Sequence, residues 1–248
     1  AQRGVRELIL TGVNIGTYDS SGKTILNIVD DLSRIPAIDR VRISSIEPTT
    51  IPEELFARMT DPEHALMPFL HIPLQSGSDK VLQLMRRKYS KQEFIDFIRL
   101  AYSKVPNLYL GTDILVGFPG ETDEDFQETC SLFLEEPFAF CHVFTYSERE
   151  ETLAAKRDTH IPMEERRRRS AHLRRLSAKK LHDYHNAHLG QTLEVLFENP
   201  KEGTFPGYTQ NYIRVVVDGT DRQLANTFGK VKLVSQAADY IEGELILA

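Results

Sequence analysis

The feature that most constrains this chain is an apolar run that ends in a glycine-rich turn. Residues 108–116 are mostly apolar, which predicts a strand buried in a parallel sheet. Gly117, Pro119 and Gly120 then turn the chain, and a helix with acidic residues in its first turn follows Thr122. Because ligands of parallel α/β folds bind at the carboxyl ends of the strands, this turn is predicted to line a site.

Strands and helices alternate along the first part of the chain. Short apolar or alternating runs predict strands, and apolar residues at helical spacing predict the helices between them. The predicted strands are 7–12, 40–46, 69–74, 108–116 and 138–146, and the predicted helices are 24–35, 52–59, 80–87, 91–104 and 123–135. This strict alternation predicts an α/β fold with a parallel barrel or sheet.

The composition changes after Tyr146. Residues 162–189 read as one long helix that carries most of the clustered arginines, for which a solvated charged face is the alternative interpretation. From Gln191 onward, short β runs at 192–197, 212–217, 230–234 and 240–247 predict a small β-barrel. We therefore expect three parts, 1–160, 161–190 and 191–248.

Charge and hydropathy restrict the class of protein. The net charge of −6 argues against a protein that coats nucleic acid through its overall charge, while a local basic patch remains open. No apolar run approaches the roughly 18 to 20 residues of a membrane span, and no signal peptide opens the chain. We expect a cytoplasmic protein with no membrane partner. The chain starts at Ala1 and enters a strand almost at once, so we expect a fragment of a longer protein.

The chain contains two cysteines, Cys130 and Cys141. They do not have C-x-x-C spacing, so the residues favour two buried free thiols over a metal or redox site.

Four predicted strand ends have polar or glycine-rich sequences. They are Gly12-Val13-Asn14, Ser44-Ser45-Ile46-Glu47-Pro48, residues 71–78 and residues 113–122. In this order, and together with residues 81–82, 85–89, 146–149 and 207–215, they resemble the radical S-adenosylmethionine (SAM) methylthiotransferases over essentially the whole chain.

The resemblance implies a partial TIM-like (β/α) barrel that lacks its first strand, followed by a small all-β RNA-binding barrel of the TRAM type. It also implies insertion of sulfur and a methyl group into a C–H bond with SAM and [4Fe–4S] clusters. Gly12 and Asn14 match positions that hold the methionine part of SAM. Ser44, Ser45 and Glu47 match those at the ribose. The 114–117 backbone is expected along the adenosine. The expected SAM-binding residues are Gly12, Asn14, Ser44, Ser45, Glu47, Gln75, Ile114 and Gly117.

Each of these residues also has a purely structural interpretation. Asn14 can occupy a left-handed turn, serines can satisfy backbone groups, and Gln75 can cap a loop. A lone histidine in an apolar run, such as His71, is more often a core residue than a ligand. The joint pattern favours function for Asn14, Gln75 and the Gly117 turn, and leaves His71 open.

Two departures from the family pattern matter. The family binds its radical cluster through C-x-x-x-C-x-x-C and a second cluster through three further cysteines, and neither motif is present. We therefore expect this chain to hold no metal cluster and no catalytic residue, and to be inactive as it stands. Glu151 also replaces the glycine of the family's Y-S-x-R-x-G-T motif.

Residues 10–18 look most like the branch that modifies threonylcarbamoyladenosine beside the tRNA anticodon. The isopentenyladenosine branch and the branch acting on ribosomal protein S12 come next. The expected partner is the anticodon stem-loop of tRNA, and the alternative is an RNA-binding module without catalysis. Arginines supply phosphate contacts and aromatic rings stack on unpaired bases. The predicted RNA contacts are Arg166, Arg167, Arg168, Arg169, Tyr208 and Tyr212.

Overall fold

The computed structural model describes residues 4–44, 46–219 and 223–246. The first part of the chain forms one parallel sheet whose five strands are adjacent in chain order. The strands are β1 (Glu7–Leu10), β2 (Arg40–Ile43), β3 (Leu66–His71), β4 (Tyr109–Val116) and β5 (Phe140–Thr145). This arrangement confirms the predicted α/β half-barrel.

The helices between these strands cover the outer face of the sheet. Ser90 and Glu93 form a capping box at the start of α4, and Thr122 and Asp125 form another at the start of α5. The helices are α1 (Ile25–Ser33), α2 (Glu54–Thr60), α3 (Asp79–Leu84), α4 (Lys91–Lys104) and α5 (Asp123–Glu135). Their apolar faces and the outward side chains of the sheet form one core. The inner face of the sheet is concave, and we call the space beside it the lumen.

The predicted third strand is displaced along the chain. It was expected at 69–74, but β3 begins at Leu66 and ends at His71. Pro73 has no amide proton, and the Leu74 amide donates to the Thr112 side chain at 2.9 Å instead of to a backbone carbonyl. The chain beyond His71 therefore follows β4 without forming a regular ladder.

The last part of the chain is a closed barrel of five short strands with its own apolar core. A small β-barrel was predicted here, but from four β runs instead of five. Its strands are β6 (Thr192–Phe197), β7 (Thr204–Thr209), β8 (Arg214–Asp218), β9 (Phe228–Gln236) and β10 (Ile241–Leu245).

None of the predicted β runs covers β7, because Pro206-Gly207 in its middle is typical of a break between strands. Pro206 is tolerated at the end of the β6–β7 ladder, where its carbonyl accepts from the Glu198 amide at 2.8 Å. Gly207 is needed because a Cβ there would lie 2.5 Å from the Leu196 carbonyl oxygen.

Helix α6 (Met163–Asn186) joins the two barrels. It packs along β5, where the Ser177 hydroxyl accepts from the Cys141 amide and donates to the Cys141 carbonyl, both at 3.0 Å. Among the described helices none is both long and apolar enough to cross a membrane.

Two arginines of β2 join the small barrel to the half-barrel. Arg40 donates to the carbonyl of Tyr208 at 2.6 Å, and Arg42 donates to those of Thr209 and Gln210 at 2.8 and 2.6 Å. Both guanidinium groups are buried. Burial and the neighbouring Arg42 lower the pKa of Arg40 to about 10.

Candidate active-site cleft and lumen

A cleft of about 850 Å³ lies at the carboxyl ends of the parallel strands. Loops that follow β1, β2 and β3 contribute Asn14, Glu47 and Gln75, and β4 contributes Leu115 near its end. The end of α3, the segment after it and the loop after β5 complete the wall. The remaining lining residues are Leu84, Met85, Arg86, Arg87, Lys88, Phe118, Leu153, Ala154 and Arg157.

Asn14 joins the first two of these loops. Its side-chain oxygen accepts from the Gly16 amide at 3.2 Å and from the Thr50 hydroxyl at 2.9 Å, and its amide group lies 3.5 Å from a carboxylate oxygen of Glu47. Asn14 therefore caps the short turn Ile15–Thr17 from an extended backbone with φ of −156°, and not from the left-handed turn of its structural interpretation, and it also lines the cleft. Its position brings Glu47 to the same wall.

A basic segment that was not among the predicted site residues faces Glu47. Arg87 donates to the Glu47 carboxylate at 3.1 Å, and both side chains are partly exposed. The signal for this wall was the run Arg86-Arg87-Lys88 directly after α3. The cleft therefore combines a carboxylate, two side-chain amides and cationic groups with an apolar side.

Gln75 takes up a left-handed backbone conformation, with φ of +67°. This conformation lets its amide donate to the Asp113 carbonyl at 2.7 Å while its carbonyl accepts from the Leu115 amide at 2.9 Å. The Tyr89 hydroxyl donates to the Pro73 carbonyl at 2.9 Å and pins the preceding segment. Burial raises the pKa of Tyr89 to about 12. Gln75 is thus fixed against β4 at the edge of the cleft.

The Gly117 turn is packed against α6. A Cβ on Gly117, whose φ is +77°, would lie 2.5 Å from the Arg166 side chain. Its amide donates to the Glu121 carboxylate at 2.8 Å, and Arg169 donates to the same oxygen at 2.6 Å. Glycine at this turn is explained by its backbone conformation and by the neighbouring helix.

The structure corrects the RNA prediction for Arg166 and Arg169, which are both buried. Arg166 donates to the carbonyls of Tyr146 and Ile161 at 3.1 and 2.7 Å and pairs with Glu148. Three residues apart on α6, the two arginines share the helix face that packs on the half-barrel. Arg167 and Arg168 lie on the outer side and are exposed.

The two tyrosines predicted to stack on RNA lie where the barrels meet. Tyr208 and Tyr212 stack on each other with centroids 4.8 Å apart. Tyr212 also contacts Phe69 and Tyr109 of the half-barrel, with centroids 4.6 and 5.6 Å away. Tyr212 therefore forms part of the floor of the lumen, which corrects its predicted position on a free surface.

The lumen encloses about 400 Å³ and is separate from the cleft. Aromatic rings line much of it, and His71, Asp113 and His142 form a polar group on its wall. His71 Nε2 lies 2.8 Å from Asp113 Oδ1. Burial and then the His71 ring lower the pKa of His142, which favours its neutral form. The sequence interpretation had left His71 open and had not selected Asp113 or His142 as individual site residues.

The predicted SAM-binding residues fall into several groups. Asn14, Glu47 and Gln75 line the cleft together, whereas Ser44 lines the lumen. The side chain of Ile114 is fully buried in the core and does not face the cleft. Gly12 is exposed in the loop after β1, Gly117 is buried in its turn, and Ser45 lies outside the described residues.

Glu151, which stands where the resemblance expects glycine, has a φ of +72°. This conformation is one that glycine adopts readily and that costs other residues about 1 kcal/mol or more. The loop after β5 therefore keeps a glycine-like turn despite the substitution, and its residues Leu153 and Arg157 reach the cleft.

Cys130 and Cys141 are both buried, one in α5 and the other in β5. Burial raises the pKa of Cys130 to about 11 and that of Cys141 to about 12. Cluster ligation requires thiolates that converge on one accessible point. These two cysteines do not fit a cluster site.

Comparison with known proteins gives the family. The radical SAM superfamily model matches residues 1–133. A threonylcarbamoyladenosine tRNA methylthiotransferase of Bacillus subtilis is 35% identical over 98% of this chain and 55% of its own length. A tRNA-2-methylthio-N(6)-dimethylallyladenosine synthase of Endomicrobium trichonymphae is 36% identical over 88% of this chain and 52% of its own length.

The chain therefore spans about half the length of the curated relatives it matches. Among solved structures, coproporphyrinogen III oxidase of Escherichia coli, described as a radical SAM enzyme, aligns with 73% of this chain and 41% of its own. Its TM-score is 0.55 at 16% identity, which shows a shared fold. The family model covers more than half of this chain, and the parallel half-barrel agrees with it. The chain belongs to the radical SAM superfamily.

Proposed function

We propose that this chain is the C-terminal portion of a methylthiotransferase that adds a methylthio group to a modified adenosine next to the anticodon of tRNA. The observation that carries the proposal is the cleft in which Asn14, Glu47 and Gln75 converge from three strand ends. It agrees with the identities to two kinds of tRNA methylthiotransferase over nearly the whole chain. The threonylcarbamoyl derivative is our preferred substrate because of residues 10–18.

The lining of the cleft fits SAM in size and chemistry. Bound SAM supplies a methyl group and, when reduced, the fragment that activates a C–H bond. The Glu47 carboxylate is suited to accept hydrogen bonds from ribose hydroxyls, and the amide groups of Asn14 and Gln75 to bind the polar methionine end. Leu115 and Phe118 offer an apolar surface for the adenine ring. These side chains would orient the ligand and exclude water around it.

The iron–sulfur cluster lacks suitable ligands in this chain, because Cys130 and Cys141 are both buried in separate elements. We propose that the 248-residue chain alone binds no [4Fe–4S] cluster and does not cleave SAM, even after anaerobic reconstitution with iron and sulfide. Iron quantification and chromatography for 5′-deoxyadenosine test this proposal. A stoichiometric cluster with product would contradict it.

The decisive test uses the full-length protein with its clusters, SAM, a reductant and tRNA. Digestion and mass spectrometry of the tRNA would identify the methylthiolated nucleoside, and ribosomal protein S12 would serve as the competing substrate. Glu47→Ala and Asn14→Ala should retain iron and fold but lose 5′-deoxyadenosine formation. The matched control is Glu54→Ala, which removes an exposed carboxylate of α2. Unchanged cleavage in both cleft variants would remove these strand ends from the site.

A second candidate function is RNA binding by this chain without catalysis. The outer face of α6 favours it, because Arg167, Arg174 and Arg175 are exposed there. The small closed barrel would be a TRAM-type RNA-binding domain in this interpretation. Arg168 is also exposed, but it is left out of this group because it is paired with Glu165 at 2.6 Å. Binding of a tRNA anticodon stem-loop to the isolated chain tests this function directly.

The exposed arginines Arg167, Arg174 and Arg175 allow a quantitative test of this function. When all three are replaced by glutamine, the slope of the logarithm of the RNA-binding constant against the logarithm of salt concentration should become shallower by about 2. Each phosphate contact contributes roughly 0.7 to 0.9 to this slope. The control replaces Lys23, Arg34 and Lys104, which are exposed on the half-barrel. Equal effects of the two triple variants would show that α6 makes no specific contribution.

A further inference from the structure

Three side chains that can bind a metal ion face one another across the concave side of the half-barrel. His71 ends β3, Asp113 lies in β4 and His142 lies in β5, so they occupy neighbouring strands. Asp113 and His142 are direct partners in the parallel register and therefore stand side by side. One ligand atom from each of the three residues lies within 4.8 Å of the other two.

The position of His71 depends on a residue without a side chain. Gly111 is its register partner on β4, and a Cβ there would lie 2.7 Å from His71 Nδ1. The missing carbon lets the imidazole lie over β4, where Nε2 is 2.8 Å from Asp113 Oδ1. Metal–ligand bonds of about 2.1 Å at right angles place neighbouring donor atoms about 3 Å apart. This pair therefore already has the spacing of two adjacent ligands.

His142 would complete the set and is the residue that has to move. Its side chain is exposed, and its ring centroid lies 5.3 Å from that of His71. The Phe140 ring supports it edge-on at 4.9 Å. Because His142 is exposed on the last strand of the sheet, its ring can turn toward the other two groups without opening the core.

We propose that His71, Asp113 and His142 bind one divalent first-row transition-metal ion through two imidazole nitrogens and one carboxylate oxygen. This donor set suits ions from Mn(II) to Zn(II), whereas Mg(II) and Ca(II) prefer oxygen ligands alone. The remaining coordination positions face the lumen, so a small ligand has access to the ion. The site uses neither cysteine nor any residue of the SAM cleft, and it does not depend on the proposed function.

The surroundings are compatible with a cation. Asp113 contributes one negative charge. The guanidinium of Arg42 lies 5.0 Å from the centroid of the Tyr212 ring of the lumen, and its positive charge is paired with Glu7 at 2.9 Å. Phe69, Tyr109 and the other rings of the lumen reduce competition from water for the ligand atoms. In the alternative interpretation, the hydrogen bond between His71 and Asp113 only satisfies two partly buried polar groups, and His142 has no role. The two interpretations therefore differ most clearly in His142.

The experiment is a titration of the metal-stripped 248-residue chain with Co(II), followed by visible absorption and by calorimetry. We expect one ion per chain, with ligand-field bands, and its displacement by Zn(II). His142→Ala should weaken binding by at least about tenfold, as changes in metal sites commonly do. His182→Ala is the matched control, because His182 is exposed on α6 away from the cluster. It should bind Co(II) like the wild-type chain.

His71→Ala changes a buried residue and carries a risk for folding, so Asp113→Asn and His142→Ala are the primary variants. Circular dichroism of each variant checks its fold. Absence of Co(II) binding to the wild-type chain would overturn the proposal. Binding that His142→Ala leaves unchanged, or that His182→Ala reduces equally, would also overturn it. Neither result bears on SAM cleavage, which is assayed separately.

Discussion

The two barrels of this protein differ in their sheet edges: the small barrel is closed, whereas the half-barrel is open at both ends of its sheet. The five strands from β6 to β10 close on themselves, so each has a partner on both sides. The parallel sheet instead ends in β1 and β5, each paired on one side among the described strands. An open edge exposes unpaired backbone groups, and closure removes them. The small barrel is therefore self-contained, whereas the half-barrel depends more on what packs against it.

Four buried arginines connect the half-barrel to the elements that pack against it. Arg40 and Arg42 bind backbone carbonyls of the small barrel, and Arg166 and Arg169 bind the turns beside β4 and β5. Each satisfies several acceptors that the parallel sheet does not reach. These side chains therefore stabilise the half-barrel through hydrogen bonds that are not part of its own ladder. Substitution of these four buried arginines should accordingly destabilise the protein more than substitution of exposed arginines and lysines.

The largest expected effect comes from Arg42→Ala. Arg42 is fully buried and donates to Glu7, Thr209 and Gln210. Its loss leaves a carboxylate and two carbonyls without their partner, which should cost about 3 to 5 kcal/mol in the free energy of unfolding. Urea unfolding measures this cost. Arg34→Ala, with 74% of the side chain exposed, should cost less than about 0.5 kcal/mol. Similar losses for Arg42→Ala and Arg34→Ala would contradict the proposed role of Arg42 in joining the two barrels.

A second prediction compares neighbours on α6. Arg169 has 4% of its side chain exposed and binds the buried Glu121, whereas Arg168 has 58% exposed. Arg169→Gln should destabilise the protein by about 3 kcal/mol, because it leaves Glu121 buried without a counterion. Arg168→Gln should change stability by less than about 1 kcal/mol. Thermal or urea unfolding of both variants separates these outcomes, and a larger loss from Arg168→Gln would refute the assignment.

The third prediction concerns His185, where α6 meets the small barrel. Burial, together with His188 and His182, lowers the pKa of His185 to about 4. Between this value and the unfolded value near 6.5, the unfolded chain binds more protons, so stability is complete above about pH 6.5 and falls toward pH 4. At about 1.4 kcal/mol for each pH unit between the two pKa values, the loss should be about 3 kcal/mol. Unfolding measured at several pH values should show a shallower acid dependence for His185→Gln than for the wild-type chain. Parallel curves would be evidence against a buried neutral histidine.

The smallest expected effect is at Phe228 of β9. The guanidinium carbons of Arg6 and Arg40 lie 4.2 and 4.8 Å from the centroid of its ring. Phe228→Leu keeps most of the apolar contact and removes two cation–π interactions, which predicts a loss of about 1 kcal/mol. A double-mutant cycle with Arg6→Gln isolates one of them. A coupling energy of zero would show that the contact between Arg6 and Phe228 does not contribute to stability.

Some predictions failed for identifiable reasons. Arg166 and Arg169 look no different from Arg167 and Arg168 in the sequence, because a run of four identical residues gives no sign of which helix face packs. Tyr212 has an aromatic ring of the kind that stacks on RNA bases, but this ring forms part of the floor of the lumen. Interfaces between elements far apart in the chain are decided by packing, which local patterns do not encode.

The sequence by itself determined the alternation of strands and helices in the first part, the small β-barrel and the polar strand ends of the cleft. These depend on local periodicity and on the conformations of glycine and proline, which a single segment carries. Only the tertiary structure decided that, of the expected SAM-binding residues, Asn14, Glu47 and Gln75 line one cleft while Ser44 lines the lumen and Ile114 lies in the core. It alone decided that buried arginines join the two barrels, and that His71 and His142 lie on the two strands that flank Asp113. Such groupings arise from the register of parallel strands that are separated by helices, and register is a property of the packed sheet.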